Sequence, residues 1–253
     1  MFSKFLKFAT GATMIALLGL NNANATGLTP GMTFGVGAEW MFGIKTNKDL
    51  SYKVLPAANG LTANDIYSLD MKRDNGYGGS VSVGYLMDSG FEGGLEVLYK
   101  ELKYKDAVSK STLETTNLIG LLKGTYYIDL GSMIYPYITA GVGIAHISAK
   151  GTIYKVPAAA AAGPTEFVKF TDMKANKLAG DAGIGIAAAM QSALFSVGVK
   201  ASTNQNMEDS KSYTDMKVVD GAGDAFTSNS DFAFGRLTQM NYEVEAKLKV
   251  IMS

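Results

Sequence analysis

The run from Tyr242 to Met252 leaves little choice of fold. Tyr242, Val244, Ala246, Leu248, Val250 and Met252 alternate with Glu243, Glu245, Lys247 and Lys249. Successive side chains on a strand point to opposite faces, so the segment separates an apolar face from a charged one only as β-structure. The same period of two recurs upstream in Gly31 to Gly43, Gly76 to Met87, Phe91 to Lys100, Thr116 to Ile128, Tyr135 to Ser148, Leu178 to Ala188 and Phe195 to Ala201. Ile119 and Leu121 interrupt the pattern in the fourth of these. Each of the eight segments is expected to be a strand, most of about 10 residues, the length that crosses a bilayer when tilted.

The connections between the segments are sorted by length. Residues 88–90, 129–134 and 189–193 are tight turns, while 44–75, 101–115, 149–176 and 202–235 are long and polar. Short and long alternate strictly. A soluble sandwich has no reason to do this, whereas outer-membrane barrels pair short periplasmic turns with long extracellular loops. The expected fold is all-β: an eight-stranded antiparallel transmembrane β-barrel with four long extracellular loops, in the bacterial outer membrane. Lys4 and Lys7, the uncharged run 9–20 and Ala23-Asn24-Ala25 read as a signal peptide over 1–25. The 12-residue apolar run is too short for a spanning helix, which needs about 20. The barrel is expected to occupy 26–253.

Rings at both strand ends fit two interfacial girdles. Trp40, Phe42, Tyr77 and Tyr99 are expected at the outer rim, and Tyr85, Phe91, Tyr126 and Tyr135 at the inner rim. The charged face of the last strand must point inward, because a lysine turned to lipid near the midplane costs about 2–4 kcal/mol. Inside, Glu243, Glu245, Lys247 and Lys249 would meet Glu39, Glu92, Glu96, Lys123, Asp181 and Lys200. Side chains fill the interior of an eight-stranded barrel. A salt-bridged plug without an open pore is therefore expected.

Composition excludes several function classes. The chain has 23 basic and 23 acidic residues. Removing Lys4 and Lys7 with the signal peptide leaves a slight acidic excess and no basic stripe, so nucleic acid is not an expected partner. There is no cysteine. Disulfide frameworks, thiolate metal sites and cysteine nucleophiles are therefore out of reach.

Two stretches carry a resemblance. The sequence from Leu121 through Lys123, Tyr126 and Asp129 to Leu130, followed by Tyr135-Pro136-Tyr137-Ile138-Thr139-Ala140-Gly141-Val142-Gly143-Ile144, resembles the fourth and fifth strands of porin-like outer-membrane surface-antigen barrels. Gly79 to Tyr85 is similar to that family's second strand. Lys123 stands where the family often has Asn, and Thr139 where it often has Gly. The layout is most similar to small eight-stranded adhesins and surface antigens of rickettsia-like bacteria. The resemblance implies a monomeric, non-enzymatic protein in contact with outer-membrane lipid or lipopolysaccharide. It also implies loops that bind a host or environmental surface protein.

Candidate chemistry is sparse. His146, the only histidine, and Ser148 share a strand face, as in the His-x-Ser pair of outer-membrane lipid A deacylases. Those enzymes also use a Glu, and the acid here would be Glu166. A nucleophile needs a base and an orienting group within reach, so the alternative of a rim histidine carries more weight. One histidine and scattered carboxylates without calcium-loop spacing give no metal site, and no cofactor is expected. The apolar tip holding Val156, Pro157, Ala158 and Pro164 is a candidate contact for a partner or a foreign membrane. Its flanks, Gly151 to Val156 and Glu166 to Thr171, alternate and would extend a hairpin above the membrane. The main functional expectation is adhesion through displayed loops. The alternatives are a structural barrel for envelope integrity, a narrow porin-like channel and the deacylase.

Overall fold

The computed structural model describes residues 28–42, 50–54, 66–69, 71–73, 76–106, 110–155, 165–190, 192–204, 218–220, 225–226, 232–234 and 239–252. Every regular element among them is a strand. The long strands are β1 (Gly31–Phe42), β2 (Gly76–Leu86), β3 (Phe91–Asp106), β4 (Thr112–Tyr127), β5 (Ile134–Lys155), β6 (Thr165–Met190), β7 (Ala193–Asn204) and β8 (Gln239–Met252). Each pairs antiparallel with its chain neighbour, and β8 returns to pair with β1. The sheet is a closed eight-stranded barrel, so no long strand leaves an edge unpaired.

Register fixes its size. Cross-strand partners followed from Met32 run through Tyr85, Gly93, Gly124, Ala140, Ala182, Ala201 and Tyr242 and return to β1 at Phe42, a stagger of ten residues. With ordinary strand spacings, that stagger over eight strands tilts them by about 41°. The interior is then only wide enough for side chains.

The periplasmic side closes tightly. Gly90 N donates to Met87 O at 3.0 Å. Gly90 has φ +80°, and a Cβ there would sit 2.7 Å from Tyr127 O, so this turn requires glycine. The Asp129 carboxylate accepts from Gly131 N at 2.8 Å and holds the next turn.

The opposite side departs from expectation. Much of what was read as loop is strand: β3 runs to Asp106, β4 starts at Thr112, β5 runs to Lys155 and β6 starts at Thr165. The reason is an inversion of polarity. In the lower part of β3, Phe91, Leu95, Val97 and Tyr99 point outward and Glu92 and Glu96 inward. Above Lys100 the inward residues become Leu102 and Tyr104, and the outward ones Lys103 and Lys105. The period of two survives while its sign flips. Ile119 and Leu121, which interrupt the apolar–polar pattern of β4, are both buried inside the barrel. The flanks Gly151–Lys155 and Glu166–Thr171 do extend the β5–β6 hairpin, with register shifts between Ala149 and Gly151 and between Ile153 and Tyr154.

Short strands decorate this end. Leu50–Val54 pairs with Ile66–Leu69 and with Phe232–Phe234, joining the first and fourth connections in one small sheet. Met71–Arg73 pairs with the end of β3, and Val218–Asp220 pairs with β6.

Candidate functional site

Inside, the barrel is stacked in layers. The periplasmic floor is apolar, built from Leu86, Tyr127, Tyr135, Tyr137, Ala187, Ala189, Leu194 and Ile251. Tyr127 and Tyr137 lean together, with ring centroids 5.9 Å apart.

Charged groups begin directly above. Lys249 Nζ lies 2.5 Å from Glu92 Oε2 and 5.7 Å above the Tyr127 ring. Glu92 also accepts from Thr33 Oγ1 at 2.7 Å and from Tyr127 Oη at 2.9 Å. In the next layer Glu96 takes Lys247 at 2.5 Å and Lys123 at 2.6 Å, and Lys123 reaches Asp181 at 3.2 Å. Glu245 bridges Lys247 at 3.1 Å and Lys200 at 3.3 Å, and accepts from Tyr137 Oη at 3.2 Å. The outermost layer joins Lys200 to Glu39, and Lys100 to Glu243 at 2.7 Å and Glu39 at 3.5 Å. Ser202 Oγ donates to Glu243 at 2.5 Å.

The expected interior set is thus brought together: Glu39, Glu92, Glu96, Lys123, Asp181, Lys200, Glu243, Glu245, Lys247 and Lys249 all lie in one network. The expectation omitted Lys100, which is 1 % exposed and ties β3 to β1 and β8. Its signal was present, since it shares the strand parity of Glu92 and Glu96. Five lysines face six carboxylates among these residues, so the plug is close to neutral. Each carboxylate has a lysine within 4.0 Å, as the desolvation of buried charge requires. Between the layers lies a cavity of about 30 Å³ lined by Glu92, Glu96, Lys123, Glu245, Lys247 and Lys249. It has room for about one or two waters.

Outside, the wall is the converse. Val81, Leu95, Leu122, Val142, Ile144, Ile184 and Val199 are exposed and form a continuous apolar surface. Phe42, Tyr77 and Tyr99 face outward toward its extracellular edge, with Trp40 half-buried beside them. Tyr85, Phe91 and Tyr126 face outward at the periplasmic edge. Tyr135 does not join them. It is 1 % exposed and sits in the floor, because it shares the inward parity of Tyr137 and Thr139. Such a surface is tolerable only in hydrocarbon, and the closed sheet satisfies its own backbone there. The chain is a bacterial outer-membrane β-barrel.

Solved structures share the fold. The outer-membrane protease OmpT of Escherichia coli is similar with a TM-score of 0.50 at 9% identity, over 89% of this chain and 99% of that one. Looser likeness extends to Neisserial surface protein A (TM-score 0.34, 11% identity, 87% of this chain and 97% of that one). It extends also to Ail, the attachment invasion locus protein of Yersinia pestis, solved with the heparin analogue sucrose octasulfate (TM-score 0.35, 11% identity, 88% and 99%). No protein-family model matches the chain, and no curated relative does either. At these identities the likeness carries the architecture and no chemistry.

The outer boundary of the outer-membrane barrel can be followed along cross-strand rows. Val97, Gly120, Ile144 and Leu178 form an apolar row on the outward face of β3 to β6. The next row up is Tyr99, Leu118, His146 and Asn176, and the one above is Glu101, Thr116, Ser148 and Lys174. His146 therefore sits at the transition from apolar to polar wall. Its Nδ1 pairs with Asn176 Oδ1 at 2.8 Å, not with an acid. Glu166 pairs in register with Tyr154, eight residues along β5 from His146, or roughly 25 Å of strand. The His146, Ser148 and Glu166 set is not assembled. Val156, Pro157, Ala158 and Pro164 lie outside the described residues, as does the expected signal peptide.

Above this boundary Glu114 receives Lys103 at 2.9 Å and Lys150 at 3.3 Å, a three-strand ladder on the outer face. The hydrogen bond from Lys103 holds the Glu114 carboxyl below its ordinary value of 4.5, assisted by Lys150 and opposed by slight burial.

Proposed function

We propose that this protein is a non-enzymatic surface-display barrel, in which the membrane domain is a closed anchor and the extracellular strands and loops bind a host or environmental partner. One observation carries the reading: the lumen is filled while the wall is overbuilt. Ion pairs reach from β8 to β3 across the interior, and between their layers, among the described residues, lies a cavity of about 30 Å³. A conducting or substrate-admitting barrel would leave that space open.

Meanwhile β5 has 22 residues and β6 has 26. At ~3.3 Å per residue and the tilt above, a strand of 26 residues rises over twice the ~25 Å apolar band. Sequence economy argues against such length unless the projecting part has work to do. Scaffold-held loops are where binding residues are commonly placed. The small sheet joining the first and fourth connections adds ordered surface at the same end.

The test has two arms. Replacing residues 156–164 and 205–217 with short Gly/Ser turns should abolish adhesion of protein-coated beads to host cells while leaving the heat-modifiable gel shift intact. Equal adhesion by wild type and the shortened variant refutes the reading. Planar bilayer recording of the wild type should show no conductance above background.

A further inference from the structure

Cations among the described outward side chains are confined to one side of the wall. Among the described outward side chains, β1, β2, β7 and β8 carry no charge. On β3 to β6 the same wall carries Lys103, Lys105, Lys150 and Lys174, with Glu101 and Glu114 as the acids. Lys103, Lys105 and Lys150 are exposed. Glu101 accepts from Tyr99 Oη at 2.7 Å and from Tyr77 Oη, so its oxygens turn toward the aromatic rim. Glu114 lies between Lys103 and Lys150.

Height makes the cluster informative. Lys103, Lys150 and Lys174 stand one to three residue rows above Leu118, Ile144 and Leu178, which are at least half exposed and face acyl chains. The interval between the apolar wall and the lysines, occupied by Tyr99, His146 and Asn176, is one of headgroup polarity. A cation set on the outward wall at this height meets lipid headgroups before it meets anything in solution.

We propose that the outer wall of β3 to β6 is a binding site for the phosphate of a membrane-lipid headgroup, with Lys103, Lys150 and Lys174 as its cations and the apolar row below them packing the same lipid's chains. Glu114 is the built-in competitor. It occupies two of the lysines when no phosphate is present and yields them when one arrives. Lysine suits this role as a compact, mobile point charge.

The test is native mass spectrometry of the full-length refolded barrel in detergent, titrated with bis-phosphorylated lipid A, with the same lipid after phosphatase treatment, and with phosphatidylcholine. Wild type should retain lipid A well above the other two. Lys103→Gln, Lys150→Gln and Lys174→Gln should each lower that retention by about fivefold, from the strength of a cation near an anionic surface. Glu114→Gln should raise it, because the competing carboxylate charge is removed; a merely structural ladder would lose lipid with that change. The heat-modifiable gel shift reports that each variant is folded. Equal retention of dephosphorylated lipid, unchanged retention in the triple lysine variant, or displacement by inorganic phosphate at micromolar concentration would each overturn the assignment.

Discussion

Lys200 on β7 reaches Glu39 on β1 over the intervening strand β8, with both side chains fully withdrawn from solvent. The pair closes the outermost layer of the plug, since Lys200 also faces Glu243 at 3.5 Å and Glu245 at 3.3 Å. Lys200→Met would strand several carboxylates. Removing one partner of a buried pair typically costs about 3–5 kcal/mol. The urea midpoint of the refolded barrel should fall accordingly, and Glu39→Gln in the Lys200→Met background should recover part of the loss. An undiminished midpoint in the single variant would show that the pair does not support the barrel.

The wall is expected to respond oppositely to charge. Val142 is 63 % exposed on the apolar surface. Val142→Lys should destabilise by about 2–4 kcal/mol in lipid vesicles. Lys150→Ala, higher on the same face, should cost under about 1 kcal/mol, because exposed ion pairs contribute little. Comparable losses for the two would place the membrane boundary elsewhere.

Glycine makes room for the floor. A Cβ on Gly198 would lie 2.3 Å from Tyr137 Oη, and one on Gly185 would lie 2.6 Å from the same atom. Gly198→Ala must push Tyr137 away from Glu245 and should cost about 1–3 kcal/mol by overpacking. Tyr137→Phe in the same background relieves the clash with the hydroxyl and should restore most of the loss. Failure of that rescue would mean that the Ile184 carbonyl, which a Cβ on Gly198 would approach to 2.8 Å, sets the limit instead of the ring.

Acid should loosen the ladder built on Glu114. Glu114 titrates below its ordinary 4.5 in the folded protein, so its contribution is fully present above that value and is lost as the pH drops through the lowered one. The amide protection factors at the Lys103–Glu114 and Glu114–Lys150 pairings, measured against the intrinsic exchange rate at each pH, should therefore be flat from neutrality to about pH 5. They should fall below that, with those of Glu114→Gln unchanged over the same range.

Most of the barrel was legible in the sequence because strand parity is a local property. Glu243 to Lys249 declare their inward face without any partner being known, and Glu92, Glu96 and Lys100 do the same. Parity also carried the position of Tyr135. Reading that residue by its height in the barrel, instead of its phase with Tyr137, placed it in the wrong layer. Strand ends were less legible. Above the membrane, water lies outside and the packed core lies within, so Leu102 and Lys103 exchange the roles that Val97 and Glu96 hold below. A pattern defined as apolar-outward stops there although the strand does not. The partners within the plug were not legible at all. They depend on the ten-residue stagger, which brings Lys249 to Glu92 across a sequence separation of 157 residues and Lys247 to Glu96 across a similar one.

The final strand brings two acids and two bases to the lumen: Glu243, Glu245, Lys247 and Lys249. Until it docks, Glu92 lacks Lys249, Glu96 keeps Lys123 but lacks Lys247, and Lys100 keeps Glu39 but lacks Glu243. A sheet of seven strands would leave Glu92 without its lysine, and an unpaired charge is costly to bury. Joining β8 to β1 thus closes the wall and completes the charge pairing of the lumen together.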